Sequence, residues 1–266
     1  MNAEELRVLA DDLLERGDAH GEFILLQVER AARQERKPSP RELELTDEMQ
    51  ARLRRQLPGV SHATWERGFL STLSLHFSDE PPLEGLQRLT RWLPASALHS
   101  LQVMGRTGVD LTTLFSFAPK LKFPALREFA AVEISSLGRP REDEWLTIGR
   151  VEPMYAAWSQ LEKVQLDGVG HELGKMVLPN LRSFSAGELQ PSAIPSLVAA
   201  QWPKLEELTL SFDLTPAEAE PVFGALLEAK MSDVLQRVCI RSPWPEFFKA
   251  ALPRSPLGKG RQVLVD

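Results

Sequence analysis

One short pattern, a leucine followed three and five residues later by further apolar residues, recurs along most of the chain and constrains its fold more than any other feature. Its copies begin at Leu70 (with Leu73 and Leu75), Leu98 (with Leu101 and Val103), Leu126 (with Phe129 and Ala131) and Leu161 (with Val164 and Leu166). Three more begin at Leu181 (with Phe184 and Ala186), Leu205 (with Leu208 and Leu210) and Leu235 (with Val238 and Ile240), and Gln262 to Val265 reads as an eighth strand. Successive starts lie 28, 28, 35, 20, 24 and 30 residues apart. Such intervals leave about 15 to 30 residues between short strands, enough to climb back and lay the next strand parallel to the last, which a tight hairpin cannot do. Helical returns are expected at Leu83 to Leu93, Leu111 to Phe117, Ile194 to Gln201 and Ala217 to Ala229. A proline stands two residues before the first leucine in Pro124-Ala125-Leu126, Pro179-Asn180-Leu181 and Pro203-Lys204-Leu205.

Ahead of the repeats the periodicity is helical. Leu6, Leu9 and Leu13 share one face, and Arg16-Gly17 follows where a glycine tolerates the left-handed conformation that ends a helix. Asp18 can cap the next segment, in which Phe23, Ile24, Leu26, Val28 and Ala31 fit one broad face. These features predict an αα-hairpin, stopped by Pro38-Ser39-Pro40. A third, strongly charged helix is expected from about Thr46 to Gln56, solvated on most sides. Pro58-Gly59 closes it, so residues 1–60 read as a helical cap and 61–266 as the repeat region, with the boundary near Ser61.

The repeat units resemble leucine-rich repeats, from about Trp65 to Asp266. They lack the asparagine or cysteine of the usual turn, which is Ser78, Arg106, Val169, Leu189 and Asp213 here. Leu9 to Asp18, followed by Gly21-Glu22-Phe23-Ile24-Leu25-Leu26-Gln27, resembles the short companion domain found ahead of degenerate leucine-rich repeats in bacterial paralogous families. Asp12 stands where that domain normally has tryptophan, and Leu14 where it has an acidic residue. The resemblance implies an α/β fold, a leucine-rich-repeat-like solenoid with a curved parallel sheet, helical or irregular returns and a small α-helical cap. It also implies a bacterial source, and no assigned chemistry.

Composition narrows function by exclusion. Cys239 is the single cysteine, so no internal disulfide framework forms, which fits a reducing cytoplasm. No run approaches the roughly 18 apolar residues needed to span a bilayer. A net charge of −6, from 31 Lys and Arg against 37 Asp and Glu, argues against a phosphate backbone as partner. The richest basic region, Arg30 to Arg55, is diluted by acidic residues and is the one place a nucleic-acid interface would sit.

Motifs that suggest chemistry fail on their surroundings. Gly168-Val169-Gly170-His171-Glu172-Leu173-Gly174 superficially matches a dinucleotide-binding turn, with Glu188 downstream, but Lys175 to Asn180 leaves no room for the helix that must face a pyrophosphate. A glycine-rich repeat turn is expected instead. His171-Glu172 lacks a second histidine one turn later, where Lys175 stands, and His20, His62, His76 and His99 show no close metal-ligand spacing. Cys239 lies between Val238 and Ile240 in an expected strand, with no base beside it. Arg16-Gly17-Asp18 is a helix-to-helix turn, not an adhesion motif. The tryptophans at 65, 92, 145, 158, 202 and 244 neighbour repeat starts and are expected to seal the core. Neither cofactor nor metal nor catalytic residue is expected.

Strand alternation sends the second and third apolar residues of each unit inward and their neighbours outward, onto what the resemblance makes the concave face. That face comprises Thr72, Ser74 and His76; Ser100, Gln102 and Met104; Glu128, Ala130 and Val132; then Lys163, Gln165 and Asp167. It continues through Ser183, Ser185 and Gly187; Glu207, Thr209 and Ser211; and Arg237, Cys239 and Arg241. Small polar side chains on a continuous parallel sheet suit another protein's surface rather than a small substrate. A non-catalytic module binding a protein partner is the expectation. The alternatives are an enzyme or enzyme subunit with its site in the insertion from Leu137 to Ser159, and a nucleic-acid binder acting through residues 30–55.

Overall fold

The structure, a computed structural model, describes residues 1–105, 108–133, 146–212, 224–229, 232–243 and 245–265. It is a mixed α/β protein with one large, mostly parallel sheet. The cap comprises α1 (Ala3–Glu15), α2 (Ala19–Ala32) and α3 (Pro40–Gln56). Asn2 and Glu5 start α1 with a reciprocal capping box, and Asp18 caps α2 by accepting from the His20 N–H. Gly21 lets the two helices meet, because a Cβ there would lie 2.4 Å from the Ala10 carbonyl oxygen.

The third helix differs from expectation at its start. It starts at Pro40, six residues earlier than Thr46, because Ser39 accepts from the Glu42 N–H and proline suits the first turn. It is solvated on most sides, as expected, and buries one stripe made of Glu42, Leu45, Met49 and Leu53. Glu42 tolerates burial because both its carboxylate oxygens accept from Arg30 Nε at 3.0 Å.

The sequence reading missed β1 (Val60–Glu66), within which the expected boundary at Ser61 falls. This strand runs antiparallel to β2 (Phe69–Phe77), and its pairing slips between Val60 and His62 and again between Thr64 and Trp65. The connecting turn has positive φ at both central residues, 53° at Arg67 and 84° at Gly68. The cap docks on this turn: His20 Nε2 donates to the Gly68 carbonyl (2.8 Å), while the Gly68 N–H donates to Gln27 Oε1 (2.9 Å). Phe23 packs edge-on against Trp65, which meets Trp92 in the same way.

From β2 onward the main sheet is parallel and follows chain order: β3 (Ser100–Gly105), β4 (Glu128–Glu133), β6 (Lys163–Leu166), β8 (Ser183–Leu189), β9 (Glu207–Phe212), β10 (Arg237–Arg241) and β11 (Gln262–Val265). Residues Leu73, Leu101, Phe129, Val164, Phe184, Leu208, Val238 and Val263 stand in register across the strands. The leading leucines of the seven repeat units are all buried. A backbone ladder ties the strand entrances together: the carbonyls of His99, Arg127, Glu162, Arg182 and Glu206 each accept from two consecutive N–H groups of the next strand. The main-chain groups at this border are thereby paired.

Returns include α4 (Leu83–Leu89), α5 (Thr112–Phe117), α6 (Glu152–Ala157) and α7 (Ile194–Val198), the last ending before the expected Gln201. The glycine-rich stretch is not a simple turn, since β7 (Val169–Glu172) pairs in parallel with β5 (Thr147–Arg150) in a separate two-stranded sheet. Of the expected insertion, residues 137–145 with Trp145, Arg139, Arg141, Glu142, Asp143 and Glu144 lie outside the described residues, as do Trp244, Arg106, Asp213 and most of the return from Ala217. Among the described residues no helix is long and apolar enough to cross a membrane.

Candidate functional site

The register that aligns the core also aligns the opposite face. One row runs Thr72, Ser100, Glu128, Lys163, Ser183, Glu207, Arg237 and Gln262. A second runs Ser74, Gln102, Ala130, Gln165, Ser185, Thr209, Cys239 and Leu264. A third begins with His76, Met104 and Val132 and ends with Ser211 and Arg241, with Asp167 and Gly187 following β6 and inside β8 between them. All the expected face residues lie on these rows, half-exposed or exposed, apart from Cys239. Cys239 occupies an outward position yet is only 7% exposed, so the expectation of an accessible side chain there does not hold.

Neighbours along the rows satisfy one another. Ser74 Oγ donates to Gln102 Oε1 at 3.1 Å, and Arg237 pairs with Glu207 at 2.9 Å. On β8 the outward residues Ser183, Ser185 and Gly187 are all small and half-exposed. A Cβ on Gly187 would meet Asp167 Oδ1 at 3.4 Å, an ordinary contact, which places Gly187 beside that carboxylate.

The central acids are electrostatically unsettled. Burial pushes the Asp167 carboxyl above its ordinary range, opposed by a 2.6 Å hydrogen bond from Gln165 Nε2 and by the charge of Arg241. Glu133 shifts the same way, again from burial, with the Leu146 N–H opposing and the Asp167 charge adding to the rise. The sequence reading passed over Glu133 because it follows the last outward residue of its strand. The only available signal was a carboxylate at an inward position, opposite Gly105. Glu188 adopts φ 52° at a bulge where the pairing of β8 and β9 shifts.

The other candidates separate. His171 is buried, its Nε2 3.3 Å from the Leu166 carbonyl and its Nδ1 without a partner, and burial pushes its pKa down to about 4. Among the described residues, no three His, Cys, Asp or Glu side chains gather as a metal site. In the basic region, Arg30, Arg33, Arg41 and Arg52 form ion pairs with Glu42, Glu29, Glu22 and Asp18.

No family model and no curated protein matches the chain. Among solved structures it is similar to the crystal structure of a Bacteroides fragilis protein solved as a structural-genomics target, with a TM-score of 0.54 and 16% identity over 65% of this chain and 52% of that one. The chain therefore spans about half the length of that protein, and the likeness is one of fold.

Proposed function

We propose that the chain is a non-catalytic protein-interaction module, built as a leucine-rich-repeat-like solenoid with a helical N-terminal cap, whose partner docks on the open face of the main sheet. The support is the register itself. Three rows of mostly small, polar, half-exposed side chains cross parallel strands in chain order, an arrangement that stacked repeats produce and that offers an extended surface. The resemblance of the N-terminal stretch and the lone, buried cysteine favour a bacterial cytoplasm as its setting.

The desolvated carboxylate of Asp167 favours a partner that brings a lysine or arginine to the sheet centre, because an incoming cation relieves a charge that burial disfavours. The test is capture of the partner by wild type and by Gln165→Arg/Thr209→Glu, with Val198→Arg, an exposed site on α7, as control. The double variant is expected to lose the partner while melting like wild type, and the control to retain it. Retention by the double variant overturns the assignment of this face.

A further inference from the structure

A cavity of about 240 Å³ lies beside α1, the β1–β2 turn and the entrance to β3, away from the central and C-terminal parts of the open face. Its buried side is apolar: Leu6 and Phe69 are 2% and 3% exposed, and Ala97 adds a half-buried methyl. Ser71 lines it too, at 7% exposure. Among the described residues its hydroxyl makes no hydrogen bond and keeps some solvent access, so an incoming polar group can reach it.

The exposed side carries Arg67, His99 and Glu66, none of which pairs with a described side chain. Arg67 sits at φ 53°, where glycine or asparagine is the ordinary occupant and a longer side chain is strained. The turn does not need the guanidinium to hold its shape, because His20 and Gln27 fix Gly68 through the backbone. A strained residue kept at the mouth of a cavity, with a free cationic head, is a sign of a ligand.

We propose that this cavity binds a small carboxylic acid with a branched apolar body. Arg67 and Ser71 receive the carboxylate, the guanidinium as a two-pronged donor, and the body lies against Leu6, Phe69 and Ala97. Two sources share this chemistry, a simple acid and an apolar α-amino acid, whose ammonium group Glu66 would meet.

The test is an NMR titration of the full chain with 4-methylpentanoate, leucine and the neutral control 4-methylpentan-1-ol. Saturable shifts at Leu6, Phe69 and Ala97 are expected, with one of the carboxylates binding at least about tenfold more tightly than the alcohol. Tighter binding of leucine identifies an amino acid as the ligand, and tighter binding of 4-methylpentanoate a simple acid. Arg67→Gly should raise Tm, since glycine accepts the turn's φ, while carboxylate affinity falls to the level of the alcohol. Ser71→Ala should weaken carboxylate binding by a smaller factor. Equal affinity for acid and alcohol, no saturable shift with any probe, or undiminished binding by Arg67→Gly overturns the site.

Discussion

Leu208 and Thr209 are consecutive in β9 and face opposite ways, the leucine fully buried and the threonine half-exposed between Ser185 and Cys239. Leu208→Asp is expected to cost several kcal/mol, by placing an unpaired charge in the core, whereas Thr209→Glu should stay within about 0.5 kcal/mol of wild type. Chemical denaturation of both variants checks this, and equal losses would invert the two faces. Alternation made these assignments legible, because one residue in two must face the core. Cys239 escaped it, since alternation gives direction but not what covers a side chain. His171 sets a pH dependence. Its folded pKa of about 4 lies below the unfolded value of 6.5, so the unfolded chain binds the extra proton first as pH falls. Stability is therefore expected to decline between pH 6.5 and 4, by up to about 3 kcal/mol from this group at about 1.36 kcal/mol per unit. His20, shifted down by burial, acts in the same sense, while Asp167 and Glu133, shifted up, oppose it. Urea titrations at stepped pH should show a shallower decline in His171→Gln than in wild type.

At the scale of elements, the joint between α2 and the β1–β2 turn is polar at its centre and apolar around it. Gln27→Leu leaves the Gly68 N–H buried without an acceptor and is expected to cost about 1–3 kcal/mol, read as a lower denaturation midpoint. Part of this joint was legible: Gly17, Asp18, Gly21 and Phe23 gave the hairpin and its cap residues. Its partner strand was not, because β1 buries only Ala63 fully, so Val60 to Glu66 shows no two-residue period. The start of α3 was hidden by its charges. Glu42 reads as a solvent residue, and only the ion pair with Arg30 explains its burial. β7 was masked by its glycines, which signal a turn whether or not a strand runs through them.

For the whole molecule, one continuous apolar core extends from Leu53 to Leu257. The truncation Leu161→Ala, midway along it, is expected to cost about 2–5 kcal/mol. Because that core links every strand of the main sheet, hydrogen exchange should give β2 and β9 the same opening free energy, and both should fall together in this variant. Unequal losses would divide the protein into independent units. Strand order was legible at this scale, since only a parallel succession suits the spacing, whereas the second sheet was not, because its strands depart from the repeat. The first strand adds one more constraint. β1 runs against its neighbour and its pairing slips twice, so its outer rim presents donors and acceptors out of step. A foreign strand meets no regular template there, and fibre-like stacking of molecules through that border is disfavoured without any dedicated guard segment.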